Sequence, residues 1–444
     1  MKVSCLDLQE HGRRVTNLRY SPTFLKSASN ARYSVADYLA QPLLLLAATP
    51  LLVAHLGLDQ YGIWMLALAL TGSMGVLSVG FGDATIKFVA TYRGRDDLTA
   101  VTRVAGAAVT INAVLGALMA ALVVGIAPAL VRHVFKIIPT QYTMATHAIQ
   151  LGGGVLFFRS VDSVFVSILR AYEHYGPSVR VAVLTKVLAV IFSVGLVLVG
   201  CGVVAIMALT VGTAALGAGL QCATIRRMVP ELTLLPTLDR SAYREMASFG
   251  LYTWIQGVAS LIFSHADRLL IGSFLGTTAV AYYTICVQAA QPIHGVMAAG
   301  FNFLFPHLSV RHGAGDRLGS KRVFRLATIV NLVCTIALCF PLIFFARKIL
   351  TLWMGSNFAN QSHSLLAILV IAFGLLSVNV VPHYTLLALG QARYVSLLNV
   401  AGGAVSLIAS VFLIPAFGPL GAALGRLLYG PVIALNYVRV AKSL

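Results

Sequence analysis

The sequence predicts an all-α integral membrane protein of twelve transmembrane helices, arranged as two six-helix lobes, and three observations lead there. Of the 444 residues, 58% are hydrophobic and only 10% charged, with a mean hydropathy of +0.86, more apolar surface than a soluble core of that length can hide. Hydrophobic stretches of 20 or more residues recur along almost the whole chain, whereas barrel strands would show as weak ten-residue alternations. The basic residues, finally, are sorted to one side of the implied membrane.

The spans read in order as 33–56, 61–83, 104–131, 143–170, 178–200, 202–225, 247–274, 278–308, 323–350, 363–389, 395–416 and 419–438. Residues 1–32 carry six Lys or Arg and no apolar stretch of signal-peptide length, so they read as a basic cytoplasmic tail with nothing cleaved. Residues 33–225 are then the N-terminal lobe, 226–246 a cytoplasmic linker and 247–440 the C-terminal lobe. With the amino terminus inside, 25 of the 32 Lys and Arg fall on inside segments, and only Arg132, Lys136, Arg347 and Lys348 fall on outside loops. That bias orients both termini to the cytoplasm. The formal charge of +18 therefore sits in short loops, and no basic soluble domain remains for nucleic acid. Six cysteines with no C-x-x-C and no metal-ligand spacing predict neither a disulfide framework nor a metal site.

The two halves echo each other. "LLVAHLGLDQYGIWML" (Leu51 to Leu66) and "LLIGSFLGTTAVAYYTI" (Leu269 to Ile285) lie about 218 residues apart and share an apolar start, an LG connection and aromatic residues opening the next helix. "LRAYEHYGPSVRVAVL" (Leu169 to Leu184) parallels "LALGQARYVSLLNVAG" (Leu387 to Gly402) at nearly the same offset. An offset of six helices, an even number, makes the repeat parallel, with its axis along the membrane normal. Transporters so built hold substrate between the two bundles and alternate access by rocking them.

These stretches, with "FGDATIKFVATYRGRDD" (Phe81 to Asp97), "DRLLIGSFLG" (Asp267 to Gly276) and "ARKILTLWMG" (Ala346 to Gly355), resemble the polysaccharide exporters and O-antigen flippases of the multidrug/oligosaccharidyl-lipid/polysaccharide superfamily over roughly residues 33–440. Members often carry Asp-Leu-Gly late in the second helix; the order here is Gly80-Phe81-Gly82-Asp83, so no role is carried over to Asp83. The resemblance implies a V-shaped transporter of the bacterial inner membrane whose two lobes flank a central cationic cavity. It implies a cargo of undecaprenyl-diphosphate-linked oligosaccharide moved to the periplasmic leaflet, no cofactor, and the polysaccharide-polymerising machinery as candidate partner.

Charges inside the membrane are the candidate binding residues, because each one there costs about 2.5–3.5 kcal/mol on insertion scales. Arg159, Asp162 and Ser163 share one face of the fourth helix, with Gly152 on the same stripe. Two readings stand open: an Arg-Asp pair that locks two helices, or an arginine that lines the cavity for a phosphate or sugar with Asp162 orienting it. Arg426, seven residues into the last helix, has no acidic neighbour in sequence and is either an anion site or snorkels to the interface. Asp267 and Arg268 point about 100° apart, so they do not simply pair with each other. Asp83 and Lys87, at i and i+4, read as an interfacial salt bridge or as part of a basic entrance. The substrate-binding set is thus Arg159, Arg426, Asp162, Arg268 and Lys87. His265, His294, His307 and His383 read as packing residues or as proton carriers, and Tyr61, Trp64, Tyr282, Tyr283 and Trp353 as an aromatic belt. Pro42 and Pro50 bend the first helix where a gate would flex.

Two rival functions frame this reading. An exporter of organic cations would need unpaired acids in the membrane, and most acids here have a basic neighbour. A membrane-embedded enzyme would need a catalytic constellation, commonly on a long outer loop, and the outer loops span about a dozen residues at most.

Overall fold

The computed structural model describes residues 22–74, 76–237, 239, 243 and 265–444. The tail before residue 22, much of the expected linker and the seventh span up to residue 264 lie outside the described residues. The first half comprises α1 (Pro22–Met74), α2 (Val76–Arg93), α3 (Leu98–Ala129), α4 (Tyr142–Ala171), α5 (Tyr175–Leu198) and α6 (Val203–Met228). The second comprises α7 (265–274), α8 (Thr277–Phe301), α9 (Leu304–Gly313), α10 (Arg317–Phe344), α11 (Ala346–Met354), α12 (Ser356–Val378), α13 (Val380–Ala388), α14 (Ala392–Phe417), α15 (Pro419–Leu427) and α16 (Tyr429–Ser443). Among the described residues no strand occurs, and eight helices are long and apolar enough to cross a membrane.

Helix α10 shows which way round the protein is built. Its buried residues Ala327, Asn331, Thr335 and Cys339 recur every fourth position and are small or polar. The large apolar ones face out: Leu326, Ile329, Val333, Ile336, Phe340 and Phe344 are all exposed. Oily residues outside and small polar ones between helices are the arrangement lipid demands, since helix association there depends on close packing and interhelical hydrogen bonds.

Several expected spans prove to be interrupted, each for a local reason. Gly57, at φ +76°, breaks α1 between the first and second expected spans, a backbone region that glycine enters without a Cβ penalty. The expected tenth span is split at Asn379, between α12 and α13. Pro382 has no N–H to give the carbonyl of Val378, and that oxygen instead accepts from Asn331 Nδ2 at 3.2 Å and Tyr437 OH at 2.7 Å. The twelfth span breaks likewise at Leu428, three residues before Pro431. The expected ninth, 323–350, ends at Phe344, and α11 follows with Ala346 and Leu350 buried and Leu352 exposed.

Pro50 leaves a similar gap in α1. It cannot donate to the carbonyl of Leu46, and Trp353 Nε1, from α11 of the other half, donates to that oxygen at 3.0 Å. In a membrane an unfilled carbonyl is costly because water is not at hand. Trp353→Phe is therefore expected to destabilise the protein by about 1–3 kcal/mol. In a Pro50→Ala background the same change should cost clearly less, because the substituted residue regains a backbone N–H that takes over the Leu46 carbonyl. Thermal unfolding of the four variants checks this; equal costs in both backgrounds would refute the role given to Trp353.

The halves meet at the end that carries Gly57. Asp59 Oδ1 accepts hydrogen bonds from the hydroxyls of Thr277 (3.5 Å) and Thr278. Asp59 and Thr277 stand 218 positions apart, the spacing of the sequence echo. Gly62 lets the backbones close there, since a Cβ would run into the Thr277 carbonyl. Deeper in, Gln288 Nε2 donates to the Tyr61 oxygen at 3.0 Å, and Thr49 Oγ1 donates to Gln288 Oε1 at 2.9 Å. Tyr61, Trp64 and Tyr283 are buried in this seam, so the belt expected of them is corrected: Tyr61 and Tyr283 bond across helices, and none of the three rings faces lipid headgroups.

Candidate functional site

A cavity of about 550 Å³ opens among α1, α2, α4, α5 and α6. One wall is apolar, built by Leu52, Trp64 and Leu68 of α1. Another part of the lining is polar: Arg159, Asp162 and Ser163 from one turn of α4, Arg170 near its end, and Lys186 of α5. Arg159 lies deep among helices, yet its side chain stays accessible because it projects into this space. The Asp162 carboxylate acts electrostatically on it.

His265 stands at the start of α7, two residues before Asp267 and three before Arg268. Asp267 brings Arg268 of α7 and Arg426 of α15 together at the seam between the halves. His265 fits because Gly72 of α1 leaves room; a Cβ there would stand 2.5 Å from Nε2.

The three arginines are held differently. Arg426 is clamped: Nη1 lies 3.4 Å from Asp267 Oδ2, the same oxygen accepts from Tyr283 OH at 2.6 Å, and the guanidinium sits 4.8 Å from the centre of the Phe373 ring. The absence of an acidic neighbour in sequence is thus made good by tertiary structure, with Asp267 as partner. Asp267 itself is buried, and its Oδ1 accepts from the backbone N–H of Arg268 at 2.8 Å. The Arg268 side chain is not so held: its Nε is buried with no hydrogen-bond partner among the described residues. Counting cavity and seam, Arg159, Arg170, Lys186, Arg268 and Arg426 face Asp162 and Asp267, a surplus of positive charge.

Lys87 is exposed, lies 5.2 Å from the Phe88 ring centre and stands outside the cavity lining. The side chain of Asp83 lies outside the described residues, as does its expected pairing with Lys87. Arg170 and Lys186 belong with the inside basic residues by sequence, and the cavity recruits both. Lys186 has a legible signal, because the span 178–200 already contains it. His307 is exposed and accepts from Arg311 Nε at 3.2 Å, while His294 and His383 line a second, smaller cavity.

The family model described as "Polysaccharide biosynthesis protein" matches residues 55–363. A protein described as a putative O-antigen transporter of Shigella flexneri is 21% identical over 409 residues, covering 89% of this chain and 93% of that one. A probable low-salt glycan biosynthesis flippase of Haloferax volcanii is 24% identical over 188 residues, 42% of this chain and 39% of its own. In fold, the chain resembles an inward-facing multidrug resistance MATE family transporter of the MOP superfamily, with a TM-score of 0.77, 15% identity, and 92% and 98% of the two chains covered. It also resembles an inward closed conformation of the lipid II flippase MurJ, with a TM-score of 0.76, 15% identity, and 92% and 87% covered. With well over half its length matched by the family model, this multi-pass membrane protein belongs to the polysaccharide biosynthesis protein family.

Proposed function

We propose that the protein is a flippase for a polyprenyl-diphosphate-linked oligosaccharide, working by alternating access of two six-helix lobes across the bacterial inner membrane, with both termini cytoplasmic. The observation that carries this is the set of basic side chains along cavity and seam: Arg159, Arg170 and Lys186 line the cavity, Arg426 lies 3.4 Å from Asp267, and Arg268 Nε has no hydrogen-bond partner among the described residues. A half-buried guanidinium whose Nε is an open donor suits a ligand that brings its own negative oxygens, and a diphosphate does so. Relatives described as an O-antigen transporter and a glycan biosynthesis flippase support the same cargo class. The contact between Asp59 and Thr277 at the offset of the repeat supports a pseudo-twofold axis between the lobes.

In the rival reading, an exporter of organic cations, the surplus of basic side chains around cavity and seam would repel the cargo. The proposal is tested in a strain lacking its own flippase, with surface polysaccharide normalised to protein abundance. Wild-type protein should restore the glycan, Arg268→Lys should keep part of it, and Arg268→Ala should lose about ten-fold or more, the size of one charged hydrogen bond. Unchanged export by Arg268→Ala would remove this residue from the site. Organic-cation efflux without glycan export would overturn the function.

A further inference from the structure

The second cavity has no role in the reading so far. It encloses about 170 Å³ in the second half, where the breaks at Asn379 and Leu428 bring two interrupted helices together. Interrupted helices are where transporters build their sites, because the break frees polar groups at membrane depth. Six polar side chains line it: His294, Asn379, His383, Tyr384, Asn399 and Tyr429.

Their hydrogen bonds fix what they present. Asn379 Oδ1 accepts from Asn436 Nδ2 at 3.1 Å, which leaves the Asn379 amide nitrogen as a donor. Tyr429 OH donates to Asn399 Oδ1 at 3.3 Å, which leaves Asn399 Nδ2 in the same position. His294 Nδ1 is buried with no hydrogen-bond partner among the described residues. Among the described residues no carboxylate lines the space, which argues against a metal or organic cation. None of the lining groups carries a fixed positive charge either, so a diphosphate belongs with the arginines. What fits is a neutral or weakly acidic ring rich in oxygen acceptors, with Tyr384, Tyr429 and two imidazoles for its flat faces. The volume equals about five or six waters at ~30 Å³ each, enough for one ring.

The cavity also adjoins the arginine seam. Arg426 and Tyr429 lie three residues apart, on either side of the break at Leu428. Arg426 lies 3.4 Å from Asp267 in the seam, while Tyr429 lines the cavity. We propose that this cavity takes one pyranose ring of the carried glycan, the ring attached to the diphosphate. The inference rests on the flippase reading and adds a sugar subsite to it.

The test uses the full-length protein in lipid nanodiscs, with thermal midpoints measured against free glucose, N-acetylglucosamine and glucuronate, and against sodium chloride and inorganic phosphate as controls. At least one sugar should raise the wild-type midpoint by about 2 °C at saturation. Asn399→Leu and His294→Phe should lose that shift and Arg159→Ala should keep it; His294→Gln serves if the bulkier variants fold poorly. No shift with any sugar, or a shift that survives both cavity variants, overturns the subsite. Stabilisation by phosphate or chloride alone that is lost with the same variants also overturns it, as an anion site. Surface glycan separates the two readings: cavity variants exporting at wild-type level sink the subsite alone, whereas a wild-type protein that restores no glycan sinks the flippase reading beneath it.

Discussion

Arg159→Ala is expected to abolish surface glycan while leaving protein abundance near normal. The guanidinium stands in a cavity with its side chain accessible, so its removal opens space without exposing a packed core. What is lost is a bidentate, charge-assisted contact to phosphate oxygens, worth about 1.5–3 kcal/mol, or roughly ten- to hundred-fold in binding. Arg159→Lys keeps the charge but not the planar fork, and partial export is the expected result. Asp162 provides the discriminating arm. If the two residues served only to hold each other, removing both would harm less than removing Asp162 alone, because a lone charge in the membrane is the costly state. We expect Arg159→Ala/Asp162→Ala to export no better than Arg159→Ala. Recovered export in the double variant would make the pair structural and move the anion site to Arg268 and Arg426.

Asp267→Asn should have a large effect on stability. Asp267 is buried at the meeting point of Arg426, Tyr283 and the Arg268 backbone, and its loss leaves the Arg426 guanidinium without its counter-charge. Breaking a buried pair from one side typically costs about 3–5 kcal/mol, whereas removing both partners is milder. The single variant should therefore show a much lower membrane abundance and thermal midpoint, and Asp267→Asn/Arg426→Gln should recover part of both. Arg426→Glu, which sets two carboxylates against each other, should be worst of all, and Arg426→Lys should retain partial export. A double variant no more stable than Asp267→Asn would mean that the pair is not what holds α7 to α15. Full export by Arg426→Glu would remove Arg426 from the anion-facing wall.

Much of the helical framework was legible because lipid imposes a one-dimensional rule: a spanning helix needs about 20 apolar residues in a row, whatever its neighbours do. The Gly57 break between the first two spans follows from a residue whose backbone chemistry is local, and so does the Leu46 carbonyl that Pro50 cannot serve. The interruptions at Asn379 and Leu428 escape a hydropathy reading although Pro382 and Pro431 stand in the sequence. Hydropathy does not fall where a proline removes a donor, and whether the helix bends or breaks depends on partners such as Asn331 and Tyr437, which come from elsewhere in the chain.

By itself, the sequence determined that this chain lives in a membrane, where most of its helices begin and end, and which charges sit where charge is expensive. Each of those facts depends on a residue and its near neighbours. The tertiary structure decided what the charges do. It gave Arg426 an acid from α7, left Arg268 Nε without a partner among the described residues, drew Arg170 and Lys186 into the wall around Arg159, and turned Tyr61, Trp64 and Tyr283 inward. The physical reason is that electrostatic energy depends on distance through space and on local dielectric, and helices remote in sequence set both.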